Sequence, residues 1–349
     1  MYLQPHHRIA VLLHGGILGN KGKTGLALLR YSENPIVAVI DEDCAGQEIS
    51  ELTGIQHSVP VVPSVEAALA YKPDVLAIGL APSGGRLPEP WMAEVRLAIA
   101  SGLSIMNGLH TPLQQDPDCA RLVSKDSQWL WDMRQEPPGL TVGTGQARNL
   151  SCRRILAVGT DMAVGKMSAC IELTRAAKAL GQRAQLIATG QTALMLGAPG
   201  IALDAVRVDF AAGAVEHAVM AQADSHDLLF VEGQGSLLNP ASTATLPLLR
   251  GSQPTHLVLV HRLNLTRIQH FPDFQLPPIE EIIHLYETVA AAGGTFAAPL
   301  IAGIALNTYG FEEREARDAI ANLAERTKLP CTDVVRFGAT PILEAILRS

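Results

Sequence analysis

The chain has 349 residues, a formal net charge of -7, and a composition that is 48% hydrophobic, 17% charged and 4% aromatic. Such a length predicts two domains of roughly 100 to 200 residues each rather than one core. The acidic balance, with no Lys/Arg stripe, argues against a nucleic-acid partner, and no run of about 18 apolar residues is available to cross a membrane.

The N-terminal apolar run in MYLQPHHRIAVLL is too short for a signal sequence. Cys44, Cys119, Cys152, Cys170 and Cys331 are odd in number and contain no C-x-x-C pair. Together these features predict a reduced, cytoplasmic protein without structural zinc.

Short apolar runs ending in Gly, Asp or Asn alternate with helical patterns along the whole chain, as repeated β-α units around parallel sheets require. In the first half the runs predict strands over 8–14, 35–40, 74–80 and 103–106, with helices over 25–31, 64–71 and 89–100. The stretch RQEPPGLTVGTGQARNLSCR then breaks all periodicity with prolines and glycines, which places a linker at 136–152 between domains 1–135 and 153–349. The second half predicts strands over 154–158, 183–188, 227–231, 255–260 and 300–306, enough for a complete doubly wound sheet. A helix over 166–180 puts Cys170, Leu173, Ala177 and Leu180 on one face and stops at Gly181. The expected fold is therefore α/β, with two doubly wound parallel-sheet domains.

The segment ILAVGTDMAVGKMSACIEL, 155–173, carries the strongest chemistry: a buried strand, a glycine-rich loop ending Gly165-Lys166, and a helix. Phosphates are held by such an arrangement because backbone N–H groups at a helix N-terminus point at the anion and the Lys ammonium reaches its outer oxygens. Gly159, Thr160, Asp161, Val164, Gly165, Lys166, Met167 and Ser168 are the expected phosphate-binding residues, with the Lys166 side chain directed to solvent or ligand. The loop resembles the GTDxxVGK loop of dethiobiotin synthetase and its relatives. It departs from the usual P-loop at Met167, where a Ser or Thr hydroxyl would bind Mg²⁺. Ser168 stands about 100° further round the helix and does not simply replace it.

Acids and amides at strand ends supply further candidates, because ligands of open α/β sheets collect outside the carboxyl ends of the strands. In DLLFVEGQGS, Glu232 is a metal ligand if Mg²⁺ is used and otherwise a general base, and Gln234 and Gly235 follow it. Gln191 and Thr192 end ATGQT, while Asp209 and Glu216 lie in VDFAAGAVEH, Asp209 being equally suited to cap a helix.

In the first half, HGGILGNKGKTG (14–25) repeats the spacing of the second loop with Gly16, five residues, then Gly22-Lys23-Thr24. A second phosphate site is one reading of that loop and an ordinary exposed turn is the other. Asp41 stands where dinucleotide folds place a ribose-binding acid, but the G-x-G-x-x-G that should accompany it is missing. The loop APSGGR with Arg86 and the segment NGLHTPLQQD with His110 also follow strands; His110 reads either as a structural histidine or as a base.

Taken together, RIAVLLHGG, VIDEDCAGQ, IGLAPSGGRLP, NGLHTPLQQDP, GTDMAVGKMS, ATGQT, DFAAGAVE, VEGQGSLLNP, GIALNT and DVVRFG resemble the D-glutamate N-acetyltransferase family over nearly the full length. The resemblance implies a Rossmann-like N-terminal domain and a P-loop NTPase-like C-terminal domain. It also implies acetyl transfer from acetyl-CoA to the amine of an amino acid such as D-glutamate, in a homo-oligomer acting on small molecules. On that reading Glu232, Asp209 or His110 is the base, and Gln191, Thr192, Gln234, Gly235, Arg336 and Arg86 hold substrate. The competing expectations are a ligase using ATP and Mg²⁺ to activate a carboxylate, and a nucleotide-binding regulatory module without turnover.

Overall fold

The computed structural model describes residues 3–19, 21–82 and 85–349. It divides into two compact units, one running to Gln135 and including Gln191–Gly197, the other comprising Glu136–Gly190 and Ala198–Ser349.

In the first unit the strands are β1 (Ile9–Leu12), β2 (Ile36–Ile40), β3 (Val61–Val62), β4 (Val75–Ile78), β5 (Ser104–Asn107) and β6 (Leu130–Asp132). Helices α1 (Lys23–Tyr31), α2 (Ile49–Thr53), α3 (Val65–Ala68), α4 (Glu89–Ala100) and α5 (Pro117–Leu122) connect them. All strand pairs are parallel, in the order β3-β2-β1-β4-β5-β6, which is the Rossmann arrangement. The central strands β1 and β4 read IAVL and VLAI, apolar at every position because both faces are covered. The two strands the periodicity misses, β3 and β6, have two and three residues, too few to show a period.

The second unit is built on β7 (Arg153–Gly159), β8 (Ala184–Ile187), β9 (Leu228–Val231), β10 (His256–Arg262), β13 (Leu300–Asn307) and β14 (Cys331–Thr332), again all parallel, in the order β14-β13-β10-β7-β9-β8. A separate antiparallel hairpin, β11 (Arg267–Ile268) with β12 (Phe271–Gln275), lies outside this sheet. The helices are α6 (Lys166–Ala179), α8 (Val208–Ala223), α9 (Thr245–Ser252), α10 (Ile279–Ala291), α11 (Glu313–Thr327) and α12 (Thr340–Arg348). Between α6 and α8 lies α7 (Gln191–Met195), which belongs to the first unit. From β7 the chain passes to β8 and β9 on one side and to β10, β13 and β14 on the other, so the topological switch lies at β7, where ligands of such sheets bind.

Three sequence expectations change here. The second sheet has six strands rather than five, the additional one being the short β14. Leu180, expected on the buried face of α6, is 55% exposed at the helix C-cap, whereas Cys170, Leu173 and Ala177 are buried. The stretch 136–152 is part of the second unit, held against α8 by Glu216. The Glu216 carboxylate accepts hydrogen bonds from Thr144 N (2.7 Å), Thr144 Oγ1 (3.0 Å), Gln146 N and Ala147 N (3.4 Å). Glu216 is thereby an anchor of this segment and not a site residue. Among the described residues, no helix is long and apolar enough to cross a membrane.

Candidate active site

Strand β7 delivers the chain into the phosphate loop at the switch point. Residues 155–158 of β7 are all buried, and Gly159 pairs with Val260 of β10. Beyond it, Ala163 takes φ 56° and Gly165 φ 116°, and α6 begins at Lys166. Left-handed residues in a loop turn successive N–H groups toward one concavity, the geometry of an anion nest. For a non-glycine residue such as Ala163 that conformation costs on the order of 1–3 kcal/mol, and strain of this kind collects at ligand sites.

Neighbouring elements over-determine the loop. Asp161 is fully buried; its Oδ1 accepts from Met162 N (2.7 Å) and Asn239 Nδ2 (2.7 Å), and its Oδ2 from Gln269 N (2.6 Å). Tyr286, buried in α10, donates to Gly159 O at 2.7 Å and accepts from Leu237 N at 3.1 Å. Asn307, at the end of β13, donates to Val164 O at 3.0 Å. Thr160 Oγ1 meets His261 Nδ1 at 3.0 Å, and burial pushes that imidazole down to about 4, so it is neutral near pH 7. Asp161 is therefore a tether for the loop, and its carboxylate is spent on N–H donors.

Lys166 is 6% exposed, so of the two expected directions, solvent or ligand, its side chain does not take the first. Its Nζ donates to the Asp161 carbonyl at 2.8 Å, and its chain lies over two glycines. A Cβ at Gly233 would fall 1.8 Å from Ala157 O and 2.8 Å from Lys166 Cδ; one at Gly159 would fall 2.9 Å from Lys166 Nζ. These two glycines make room for the lysine.

Burial pushes the Lys166 ammonium down to about 8, against the opposing pull of Asp161 and Glu232. Glu232, 3% exposed just past β9, is pushed up to about 7 by burial. Its Oε2 accepts from Thr189 N (2.9 Å) and Gly190 N (3.1 Å), and these bonds together with Lys166 limit the rise. An acid and a base whose ranges converge near neutrality, in one buried place beside a phosphate loop, are suited to proton transfer.

The other expected residues divide between this site and elsewhere. Gln234 lies with its amide Nε2 2.5 Å from where a Gly190 Cβ would be, over the N–H groups that bind Glu232. Gly235, at φ 71°, is packed against Ser242, whose Oγ accepts from Ser236 N at 2.9 Å. Met167 and Ser168 are half-buried in the first turn of α6.

Asp209 is exposed in the first turn of α8, where an acid favours the helix N-terminus; it neither caps the helix nor joins the buried pair. Arg336 is engaged by its own surroundings. Its Nη1 donates to Thr308 O (3.2 Å), Thr308 Oγ1 (3.1 Å) and Phe311 O (2.9 Å), which holds the turn after β13.

In the first unit, His110 is exposed and its Nε2 accepts from Arg134 Nη1 at 2.7 Å, which fixes the remaining proton on Nδ1. Gly85 lies beneath the ring and Arg86 is exposed, while Ser83 and Gly84 of the APSGGR loop lie outside the described residues. Gln191 and Thr192 belong to this unit through α7: Gln191 packs on Gly108, and Thr192 Oγ1 meets Thr24 Oγ1 at 3.0 Å. Asp41 is fully buried and accepts from Ile17 N (3.4 Å) and Asp43 N (3.2 Å), so it shapes its own turn.

Sequence reasoning missed Asn239, His261, Gln269, Tyr286 and Asn307 as loop supports. Asn239 and Asn307 stand in the quoted segments VEGQGSLLNP and GIALNT, so polar residues at those strand ends were a usable signal. Tyr286, in the middle of an amphipathic helix, offered none.

The sheet order, the loop at the switch point and the buried lysine define a phosphate-loop protein of the α/β class that carries a Rossmann-like unit. Comparison with known proteins agrees. Residues 141–343 match a family model described as a domain of unknown function (DUF1611_C), P-loop domain, and residues 42–136 match the corresponding DUF1611_N Rossmann-like domain. The chain belongs to the DUF1611 family, and it has relatives named D-glutamate N-acetyltransferase.

One such relative, from Tritonibacter scottomollicae, is 33% identical over 81% of this chain and 84% of its own. Another, from a Pseudoalteromonas species, is 34% identical over 76% and 79%. A crystal structure of a DUF1611 family protein from Anabaena variabilis is 57% identical, with a TM-score of 0.96 over 99% of this chain and 100% of that one.

Proposed function

We propose that the protein is an N-acetyltransferase that uses the phosphate loop to hold acetyl-CoA and Glu232 to deprotonate the amine of an amino acid, D-glutamate being the acceptor named for its relatives. The observation that carries the reading is the buried Lys166 and Glu232 beside the loop, with groups near pH 8 and pH 7 respectively. The loop fits the co-substrate because a pyrophosphate needs N–H groups and a cation, which this loop has.

The donor set fits a divalent ion poorly. Both Asp161 oxygens accept N–H bonds, one Glu232 oxygen accepts two, and position 167 bears a thioether. Among the described residues, no group of three or more His, Cys, Asp or Glu side chains is placed to hold a metal.

The amino acid's ammonium gives one proton to the Glu232 carboxylate. The freed nitrogen attacks the acetyl carbonyl carbon; the C–N bond forms and the C–S bond breaks. The nitrogen's second proton goes to the departing thiolate, and Glu232 releases the first to solvent. Lys166 supplies the cation that holds the pyrophosphate on the loop, while the thioester lies at the far end of the pantetheine arm.

The test is thiol release from acetyl-CoA with D-glutamate and L-glutamate, in EDTA and then in excess Mg²⁺. Acceptor-dependent thiol release that survives EDTA is expected. Acceptor-dependent ADP formation from ATP that EDTA abolishes would show a ligase instead.

A further inference from the structure

Between β10 and α10 the chain leaves the sheet as the β11–β12 hairpin, paired Arg267 to Gln275 and Ile268 to Phe271. One contact fastens it to the site, Gln269 N donating to Asp161 Oδ2 at 2.6 Å, and the preceding Ile268 is buried at 3% exposure. The next residue, His270, takes φ 70°, an uncommon conformation for a non-glycine residue and one that marks a constrained turn. Most of the rest faces solvent. Phe274 is 51% exposed and its ring meets Phe271 edge to face, 6.3 Å between centroids.

In a chain only 4% aromatic, two phenylalanines within four residues on an exposed hairpin call for a partner. Arg262 and Arg267 are exposed, and Asp273 is the one acid between 262 and 275, in a chain of net charge -7. Arg267 is held along the hairpin by a bond from its Nη1 to Pro272 O.

We infer that this hairpin is the subsite for the nucleotide end of coenzyme A, with the phenylalanine pair against the purine and Arg262 and Arg267 toward the 3′-phosphate. The inference rests on the acetyl-CoA reading above. The hairpin tip is one hydrogen bond from a phosphate-loop residue, which puts the hairpin beside the loop that takes the pyrophosphate on this reading. Aromatic rings recognise a base by stacking, and arginine recognises a phosphate by paired N–H donors.

The test is calorimetric titration of the intact protein and of Phe274→Ala and Arg267→Ala with CoA and with 3′-dephospho-CoA, with molar mass by light scattering alongside. Phe274→Ala is expected to weaken both ligands by about tenfold, the usual effect of losing one stacking partner. Arg267→Ala is expected to weaken CoA by about tenfold and dephospho-CoA little, one charge-assisted contact being lost. The KM for acetyl-CoA should rise with kcat nearly unchanged. CoA binding by the wild type that neither variant disturbs overturns the inference alone, and a lowered molar mass with unchanged affinity overturns it in favour of a contact between copies of the chain. No CoA binding by the wild type overturns the acetyl-CoA reading as well.

Discussion

The chain contains two glycine-rich turns of identical spacing, 16–24 and 159–168, and the structure puts them to different uses. In the first, the glycines serve packing. A Cβ at Gly22 would fall 2.2 Å from Gly16 O, one at Gly16 2.8 Å from Leu80 Cδ2, and Gly22 has an ordinary φ of -91°. The turn closes on its own backbone and Lys23 is exposed; Asn20 lies outside the described residues. In the second, Gly159 and Gly233 make room for the lysine itself, Gly165 is left-handed, and Lys166 is buried beside an acid. Spacing alone does not make a phosphate site. A buried acid alone does not distinguish them, since Asp41 accepts from Ile17 N in the first turn. What distinguishes the second is a buried lysine beside its acid, Glu232, which follows the neighbouring strand β9, together with the side chains that brace the loop.

The largest effect should come from Glu232, the acid beside the buried lysine of the second turn. Glu232→Gln keeps an oxygen for the Thr189 and Gly190 N–H groups and loses the base, so kcat is expected to fall by about 100- to 10,000-fold with the fold retained. A loss smaller than tenfold in steady-state assays would assign the proton to another group. In the wild type, kcat/KM should rise as pH passes through about 7, and the variant should lack that limb.

Stability gives a second readout of the pair. Because the folded-state value of Glu232 is raised, its contribution is full below the ordinary carboxylate range and is lost as pH rises to about 7. Lys166 has a lowered value, so its contribution is full above the ordinary lysine range and is lost as pH falls to about 8. The two together place a minimum in the contribution of this pair between about 7 and 8. The melting temperature of Glu232→Gln relative to wild type should accordingly increase from pH 5 to pH 7; a flat difference would mean that Glu232 titrates in its ordinary range.

Next in size is the pair of lysine substitutions. Lys166→Met should weaken CoA binding by about 10- to 100-fold, the effect of losing a charge-assisted bond to phosphate. Lys23→Met should leave CoA affinity within about twofold, as for an exposed residue away from the ligand. An equal loss from both in titration calorimetry would erase the distinction between the two turns.

The smallest effect is expected at Met167, which is half-buried in the first turn of α6. Met167→Thr should cost on the order of 1 kcal/mol in denaturant unfolding, as a partly buried apolar side chain is replaced by a polar one. It should confer no Mg²⁺ dependence on thiol release. A gain of Mg²⁺-dependent turnover would instead favour the nucleotide-hydrolysing reading of the loop.

The sequence by itself determined the two parallel α/β sheets, the phosphate loop and the acid at the end of β9, because each is written in contiguous residues. An apolar run marks a strand covered on both faces, and a glycine-rich turn before a helix marks a candidate anion site that its surroundings then decide. It also placed Met167 and the departure it represents.

The tertiary structure alone decided which polar residues meet. Glu216 and Arg336 read as site residues from their positions, but hold the 144–147 segment and the turn after β13. Gln191 and Thr192 follow a strand of the second sheet and belong to the first unit. Asp161, expected on phosphate, gathers Asn239 and Gln269 from 78 and 108 residues away. Periodicity reports only which face of an element is buried; the partner of a buried polar group is chosen by which chain segments the topology brings alongside it, over separations no local pattern records.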